Sequence, residues 1–299
     1  MVGGSGLVAP ILLLLSIFRR VKTVVLLHGL DVVVDNRLYQ GLFVPCIRKV
    51  NLVIANSVNT RALAIGKGVP MDKIVVINPG TTLPAPHDID RLADFRARYN
   101  LTTGRVVLFV GRMTRRKGLS GFIRNCLPTI VAAAPDTTLL VVGKDPAHSL
   151  NREGEEEDVI HAAQSSGLGG HIRFLGQISD DELTQCYALA AVQILPLIEV
   201  AGDVEGFGMI AVEAAACGTP TVAFELGGVP DAISASSGAL VAPGDYPTFT
   251  KAVLAILRSG NPSAESCREH AQQFFWPRYH AQFEESLRAL LAVNSGTGG

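Results

Sequence analysis

The chain has 299 residues, of which 48% are apolar, and its 26 basic and 27 acidic side chains leave a net charge of −1. Because one domain typically takes roughly 100–200 residues, this length predicts about two domains. The apolar share excludes an intrinsically disordered chain, which is much poorer in apolar residues. The near-neutral charge provides no overall basic field, so we expect no nucleic-acid partner.

The cysteines and histidines show no pattern typical of a cross-linked or metal-binding protein. The five cysteines lie far apart in the sequence and form no CxxC pair, which fits a reducing cytoplasmic location better than a disulfide framework. The seven histidines form no HxxxH or HExxH pattern, the commonest metalloenzyme signature. We therefore expect no bound metal.

Residues 6–18 form an apolar run that Arg19 and Arg20 follow. The run is shorter than the ~20 apolar residues that a bilayer-spanning helix needs. A signal peptide would carry its positive charges before the run rather than after it. The pattern favours a buried helix whose sheet-facing side is apolar. Contact with a membrane surface and a targeting segment are the alternatives.

From residue 21 onward, short β-branched runs alternate with helical patterns, which is typical of parallel βαβ units. A helix is predicted to begin after Ser57, which serves as its N-cap. The first part of the chain has about three predicted strands, fewer than the ~5–6 of an average sheet, and the GGSG of residues 3–6 follows none of them. We therefore expect the first domain to lack its N-terminal part. The three strands are predicted within residues 21–27, 51–56 and 73–78.

Residues 79–88 hold three prolines, one glycine and two threonines, a composition that predicts a linker between two domains. We place the first domain at residues 1–84 and the second at residues 85–275. In the second, Ser179 followed three residues later by Glu182 predicts a capping box at a helix start. Five parallel strands are predicted there, at residues 105–111, 137–143, 171–176, 191–197 and 219–224.

The first candidate site is the GRMTRRKG of residues 111–118, which follows a predicted strand. Ligands of open parallel sheets bind beyond the carboxyl ends of the strands. Arg112 and Lys117 lie five residues apart, and a loop between them could turn both cations toward two phosphate charges. An exposed basic turn is the alternative. We expect Arg115 and Arg116 to face solvent.

The second candidate site lies within residues 203–220, where Glu205 and Glu213 bracket seven residues. Gly206 and Gly208 allow close approach of the backbone to a ligand, and the following helix would present its N-terminal amides to a phosphate. Paired carboxylates can act together in glycoside hydrolysis, where they flank one bond at about 5–9.5 Å. On a continuous helix the two glutamates would lie roughly 12 Å and about 80° apart, too far for that chemistry. They suit instead the two ends of an elongated ligand, although Glu213 could also be a carboxylate satisfied within its helix.

A third signal is the HGLD that begins at His28, again directly after a predicted strand. A lone histidine is more often structural than functional. A position facing a cleft between the domains would favour a functional role for His28.

Taken together, these motifs resemble those of glycosyltransferase family 4, the retaining nucleotide-sugar glycosyltransferases of GT-B architecture. The resemblance runs from about residue 5 to the end of the chain, and its DVEGFG form is most similar to the phosphatidylinositol mannosyltransferase branch. It implies an α/β fold with two Rossmann-like domains of parallel sheets, the first of them incomplete, and a last helix, residues 276–299, that crosses back to the first domain. The motifs that carry it are Arg112 and Lys117 in GRxxxxKG, Glu205 and Glu213 in E-x7-E, the GGVPD of residues 227–231, and the HG at His28.

The resemblance also implies roles for individual residues. The donor diphosphate would be held by Gly111, Arg112 and Lys117, which would also stabilise the leaving group, so that neither a metal nor another cofactor is needed. Glu205 would bind the hydroxyls of the donor hexose and Glu213 the ribose. His28 would lie near the transferred sugar from the other domain. The sugar and phosphate would be supported by the backbone amides of Gly206, Phe207 and Gly208.

The implied reaction is hexose transfer from a nucleoside-diphosphate sugar to a saccharide or lipid acceptor. GDP-mannose and UDP-glucose are the two donor types that the motifs leave open, and peripheral membrane contact is expected only if the apolar run of residues 6–18 supports it. The departure at the N-terminal side leaves an alternative, a non-catalytic protein that binds nucleotide sugars or another protein. A nicotinamide dehydrogenase is disfavoured because no GxGxxG follows a predicted strand.

Overall fold

A computed structural model describes residues 1–19, 21–82, 84, 89–101, 104–144 and 155–292. Its first unit contains a parallel sheet of four strands in the order β1-β2-β3-β4. The three predicted strands are present, but β1 was not predicted. Although it contains Gly3 and Gly4, β1 pairs in register with β2, so backbone pairing overrides the low strand preference of glycine. The strands are β1 (Val2–Ser5), β2 (Thr23–Leu27), β3 (Leu52–Ala55) and β4 (Ile74–Val76).

Short helices connect these strands. The predicted N-cap is confirmed, since the Ser57 hydroxyl accepts a hydrogen bond of 3.0 Å from the Thr60 amide. A π-helical turn at Tyr39–Phe43 precedes the third helix. The helices are α1 (Ala9–Arg19), α2 (Leu30–Val33), α3 (Val44–Ile47) and α4 (Val58–Gly66).

The apolar N-terminal run forms α1 and is only partly buried. Ala9 and Leu12 pack into the core of the first unit, which confirms an apolar side facing the sheet. The opposite side of α1 is also apolar but exposed, so the helix is not buried as a whole. No helix in the described ranges is long and apolar enough to cross a bilayer. The exposed apolar side chains of α1 are Ile11, Leu14, Leu15, Ile17 and Phe18.

The second unit contains a parallel sheet of six strands in the order β10-β9-β8-β5-β6-β7. All five strands predicted for this unit are present, and β10 is an additional one. Strand β5 shows why the predicted strands are apolar throughout: Val107 and Phe109 face one core cluster, whereas Val106 and Leu108 face another. The strands are β5 (Val106–Val110), β6 (Thr138–Val142), β7 (Ile172–Gly176), β8 (Val192–Leu195), β9 (Thr221–Phe224) and β10 (Gly238–Val241).

Helices cover both faces of this sheet. The capping box at Ser179 and Glu182 is confirmed, because each side chain bonds to the backbone amide of the other residue. The helices are α5 (Ile89–Arg98), α6 (Leu119–Asn125), α7 (Leu127–Ala133), α8 (Glu156–Ser165), α9 (Asp180–Leu189), α10 (Met209–Cys217), α11 (Tyr246–Ser259) and α12 (Ala264–Ala271).

The last helix, α13 (Trp276–Ala292), packs on the sheet of the first unit rather than on that of the second. Tyr279 and Phe283 of α13 lie against Leu52 and Ile54. The chain crosses to the first unit where the Thr81 amide donates a hydrogen bond of 2.6 Å to the Phe274 carbonyl. Helix α13 thereby joins the two units.

The strand order places a candidate site at the carboxyl ends of the two central strands of the second sheet. From β5, the chain continues outward through β6 and β7, and then returns to β8 on the other side of β5. The loops that follow β5 and β8 therefore leave neighbouring strands in the same direction. Such a reversal of strand order creates a crevice at which ligands bind in open α/β sheets.

Candidate functional site

The loops that follow β5 and β8 bring Lys117 and Glu205 together. The Lys117 ammonium lies 2.7 Å from Glu205 Oε2, and both side chains are largely buried. Gly118 has a positive φ of 64°, and a Cβ there would lie 1.9 Å from the Pro196 carbonyl oxygen. Only glycine therefore allows the two loops to approach this closely. Residues 88 positions apart in the sequence thus meet at the crevice.

Arg116 also points into this site, so the prediction that it faces solvent was wrong. It is only 7% exposed, its guanidinium forms an ion pair with Glu205, and its Nε lies 3.1 Å from Asp203 Oδ1. The cause is the 3₁₀ turn at Arg115–Lys117, which points the Arg116 and Lys117 side chains inward. The Ile198 amide also donates a hydrogen bond of 2.9 Å to the Arg116 carbonyl, which fixes this turn against the β8 loop.

These charges set the protonation of Glu205. Burial alone would raise its pKa, but Lys117 and Arg116 together lower the pKa to about 2. Burial opposes the charge of Arg116, yet Glu205 and Asp203 raise its pKa. Burial lowers the pKa of Lys117 despite the attraction of Glu205. Glu205 is therefore ionised at neutral pH and held between two cations.

Gly111 and Arg112 lie beside this cluster. Gly111 directly follows β5 and has a φ of 151°, and a Cβ there would lie 3.4 Å from the Lys117 side chain. Arg112 is exposed, but it is close enough for its charge to contribute to the lowered pKa of Lys117. Arg112 and Lys117 are therefore close to each other, but Arg112 takes no part in the ion pairs that Arg116 makes with Glu205 and Asp203.

The backbone after Glu205 is packed so closely that it requires glycine. A Cβ on Gly206 would lie 2.1 Å from the His28 carbonyl oxygen, and one on Gly228 would lie 2.0 Å from the Gly206 carbonyl oxygen. The Gly228 amide donates a hydrogen bond of 2.8 Å to the Glu205 carbonyl. The GGVPD motif therefore supports the Glu205 loop, a role that the sequence did not reveal.

This loop leads into α10 as predicted. Gly208 is the N-cap, with a φ of 96° and no side chain to accept the first amides of the helix. Phe207 anchors the loop, because its side chain is buried and its ring centroid lies 5.5 Å from that of Phe274. The start of α10 thus has amide donors and a partial positive charge that suit an anion.

Glu213 lies in α10, whereas Glu205 lies in the loop before it, so the spacing estimated for a continuous helix does not apply to this pair. The Tyr187 hydroxyl donates a hydrogen bond of 3.0 Å to Glu213 Oε2. Burial raises the pKa of Glu213, an effect that this hydrogen bond opposes and Asp180 strengthens. The two glutamates therefore have separate partners, as expected if they contact different parts of a ligand.

His28 belongs to the first unit and reaches the second through its backbone. Its amide donates a hydrogen bond of 2.8 Å to Asp31 Oδ2, and this turn carries the His28 carbonyl to Gly206. The His28 side chain is exposed. The structure thus brings His28 to the contact between the units, beside the loop that carries Glu205.

A cavity of about 350 Å³ lies between the units beside the loop that carries Glu205. The first unit contributes Asn59 and Leu63 of α4, and the second contributes Arg116, Asp203 and Glu205. The cavity is thus large enough for a sugar-sized ligand and borders the charged cluster. Within the described residues, no three histidine, cysteine, aspartate or glutamate side chains form a group that could hold a metal ion.

Comparison with known proteins gives a consistent result. The profile of the family "Glycosyl transferases group 1" matches residues 92–274. The D-inositol 3-phosphate glycosyltransferase of Mycolicibacterium vanbaalenii is 33% identical over 216 residues, which is 68% of this chain and 45% of the relative. A GDP-mannose-dependent alpha-(1-6)-phosphatidylinositol monomannoside mannosyltransferase of Mycolicibacterium smegmatis is 36% identical over 169 residues, 56% of this chain and 42% of the relative. The chain thus spans about half the length of the curated relatives that it matches.

Solved structures share the fold. HepE of Anabaena, crystallised with UDP, matches with a TM-score of 0.78 and 21% identity over 95% of this chain and 77% of its own. Sucrose-phosphate synthase of Thermosynechococcus elongatus matches with a TM-score of 0.75 and 28% identity over 97% of this chain and 73% of its own. These neighbours confirm the predicted GT-B architecture with two parallel sheets.

Proposed function

The chain belongs to the group 1 glycosyl transferases, and on this premise we propose that it transfers a hexose from a nucleoside-diphosphate sugar to an acceptor, with retention of anomeric configuration. The observation that carries the proposal is the junction at the strand reversal. There, an ionised carboxylate, two buried cations and the uncapped start of α10 converge on one crevice. Donors of this class combine hydroxyls with a diphosphate, and these two chemistries require carboxylate and cationic partners respectively.

In this proposal, the donor diphosphate lies between Lys117, Arg112 and the first amides of α10. These groups would stabilise the negative charge that develops on the leaving nucleoside diphosphate without a metal ion. Glu205 would accept hydrogen bonds from hexose hydroxyls, for which its ionised state is suited. Glu213 would bind the ribose at the other end of the donor. His28 would lie beside the transferred sugar from the first unit.

Two donor types are supported by different comparisons. The M. smegmatis relative is named as GDP-mannose-dependent, and HepE has been crystallised with UDP and with UDP-glucose. We therefore propose a GDP-mannose or UDP-glucose type of donor. The acceptor is proposed to be a saccharide or a lipid that enters from the side of the cavity between the units.

The exposed apolar side of α1 is the surface that would support peripheral membrane contact in a cytoplasmic setting. Ile17 and Phe18 are 74% and 75% exposed there, and Arg19 at the end of the helix has the charge that anionic lipids attract. Sedimentation with vesicles of phosphatidylcholine containing anionic phosphatidylglycerol tests this contact. Equal sedimentation of wild type and a Phe18→Asp variant would remove it from the proposal.

Donor binding is tested by calorimetric titration of UDP, GDP, UDP-glucose and GDP-mannose, with and without EDTA. We expect one nucleoside diphosphate and the corresponding nucleotide sugar to bind, each with the same affinity in the presence and in the absence of EDTA. Lys117→Met should weaken binding of the nucleoside diphosphate by about 1.5–3 kcal/mol, the cost of a lost hydrogen bond to a charged group. Lys251→Met, a change of the same type on an exposed face of α11, should bind like wild type.

Transfer is tested on the same preparation with a panel of saccharide and lipid acceptors. Donor binding with sugar transfer supports the full proposal. Donor binding with neither sugar transfer nor donor hydrolysis would identify the alternative, a nucleotide-sugar-binding protein without catalysis. Failure to bind any nucleoside diphosphate, or binding that EDTA abolishes, would contradict the proposed site.

A further inference from the structure

Asp231 joins the two units through one carboxylate oxygen. Its Oδ2 accepts a hydrogen bond of 2.7 Å from the Val58 amide and one of 3.2 Å from the Asn78 side-chain amide. Asp231 ends the 3₁₀ turn Val229–Asp231 in the second unit, whereas Val58 is the first residue of α4 in the first unit. Residues 173 positions apart in the sequence are thus bonded directly.

This contact satisfies a need of the helix α4. The first four amides of a helix have no partner within it. Ser57 accepts a bond from the amide of Thr60, and Asp231 accepts one from the amide of Val58. A carboxylate at this end is also attracted by the partial positive charge of the helix. The side-chain amide of Asn78 also donates to Asp231 Oδ2, which is thus held from a second direction. The same amide donates a bond of 3.1 Å to the Asn56 carbonyl.

Asp231 lies only a few residues after the glycines that support Glu205. Gly228 is bonded to the Glu205 carbonyl, and the Asp231 amide donates a bond of 3.1 Å to the Gly228 carbonyl. The contact with α4 is therefore transmitted through one short turn to the loop on which Glu205 lies. On the other side of that loop, the His28 carbonyl abuts Gly206.

We propose that Asp231 is a positioning residue that fixes the first unit against the Glu205 loop and so sets the geometry in which the acceptor meets the donor. This inference rests on the proposed function. Apart from His28, the groups proposed to bind the donor lie in the second unit, so donor affinity should depend little on Asp231. Transfer should depend on it, because alignment of two reactants contributes strongly to the rate.

The test compares Asp231→Ala with Asp245→Ala. Asp245 is a matched control, since its side chain accepts a bond of 3.0 Å from the Thr248 amide at the start of α11 but makes this contact within one unit. Hydrogen exchange is measured for the peptides that begin α4 and α11, together with donor affinity and the rate of transfer.

For Asp231→Ala we expect at least fivefold faster exchange at the start of α4, unchanged exchange at the start of α11, donor affinity within about twofold of wild type, and transfer at least tenfold slower. Asp245→Ala should accelerate exchange only at α11 and leave transfer unchanged. Asp231→Asn, which keeps an oxygen at this position, should restore most of the exchange protection and transfer.

Unchanged exchange at α4 in Asp231→Ala would overturn the contact, and normal transfer despite faster exchange would overturn its role in positioning. The exchange measurement does not require activity. If wild type binds no donor, the proposed function fails and with it the role in transfer, while the exchange data still decide whether Asp231 joins the units.

Discussion

Glu205 and Glu213 are the same residue type, eight positions apart, and the fold gives them opposite surroundings. Glu205 lies in a loop between Lys117 and Arg116, and its pKa falls to about 2. Glu213 lies in α10 beside the hydroxyl of Tyr187, and burial raises its pKa. Both side chains are largely buried, so the difference comes from their partners and not from their exposure.

The comparison shows how one short motif can provide two chemistries. A loop at a strand reversal can receive cations from a neighbouring loop, as Glu205 does. A helix packed on the sheet offers mainly neutral groups, such as Tyr187, which is 3% exposed. In the proposed function, a fixed negative charge would accept hydrogen bonds from sugar hydroxyls next to the cations proposed to hold the diphosphate. A carboxyl beside a phenol suits a neutral pair of hydroxyls, as on a ribose.

The largest expected effect is on stability. Glu205→Gln removes the negative charge that two buried cations share, and breaking such a cluster costs about 3–5 kcal/mol. Glu213→Gln keeps an oxygen for the Tyr187 hydroxyl, so its effect should stay within about 1 kcal/mol. Urea unfolding at pH 7 measures both. Equal losses of unfolding free energy would show that the two surroundings do not differ as described.

The pH dependence should have opposite signs at the two sites. The folded pKa of Glu205 is about 2, below its ordinary 4.5, so its ionised form stabilises the fold above pH 4.5. This stabilisation, of the order of 3 kcal/mol, is lost as the pH falls from about 4.5 to 2. The raised pKa of Glu213 means that its protonated form is favoured in the fold, so its contribution is lost as the pH rises above 4.5.

The measurement is the difference in unfolding free energy between wild type and each glutamine variant across this pH range. Acidification from pH 5 should reduce the advantage of wild type over Glu205→Gln. It should improve wild type relative to Glu213→Gln. A parallel pH dependence of the two differences would contradict the opposite shifts in pKa.

Arg116 and Arg115 sharpen the comparison on the cationic side. Arg116→Met removes one of the two cations beside Glu205 and also the cation beside Asp203. This change should lower the free energy of unfolding by about 1.5–3 kcal/mol. Arg115→Met, a change of the same type at an exposed position of the same turn, should cost no more than about 0.5 kcal/mol. Thermal or urea unfolding compares the two variants. A larger loss in Arg115→Met would contradict the inward direction of Arg116.

The contrast between these arginines also shows what the sequence could predict. Buried parallel strands are apolar on both faces, and strands of this type were predicted correctly in both units. The strand β1 contains Gly3 and Gly4, and β10 begins with Gly238, where a Cβ would lie 1.9 Å from the Thr221 carbonyl oxygen. Pairing with the neighbouring strands determines where β1 and β10 form. Neither segment has a periodicity in its own sequence that indicates a strand.

In the site, Lys117 was indicated by a motif at the end of a strand and Glu205 by the glycines before a helix start, whereas the contact between the two was not predicted. The direction of Arg116 was not predicted either, because a loop has no period that separates inward from outward side chains. One signal was available: Asp203 lies two residues before Glu205, and two carboxylates that become buried at one crevice favour cations beside them. The contact of Asp231 with α4 has no local signal, because it depends on how the two units meet.

An effect smaller than those at Glu205 and Arg116 is expected at Tyr187, the neutral partner of Glu213. Tyr187→Phe removes only the hydroxyl that donates to Glu213 at 3.0 Å, and the ring remains packed in the core. A hydrogen bond of this kind contributes about 0.5–1.5 kcal/mol to stability. Since this bond also lowers the pKa of Glu213 against the effect of burial, its loss should raise that pKa further. Glu213 would then bind a proton at higher pH.

The pKa change separates this account from a simple loss of packing. Glutamate carboxyls labelled with carbon-13 can be titrated by NMR in wild type and Tyr187→Phe. One carboxyl should have a higher pKa in Tyr187→Phe than in wild type, and its signal should be missing from the spectrum of Glu213→Gln. The carboxyl of Glu205 should titrate unchanged near pH 2, because its partners are Lys117 and Arg116 and not Tyr187. If Tyr187→Phe shifted the titration of Glu205 as well, the two glutamates would be electrostatically coupled and the contrast between their surroundings would not hold.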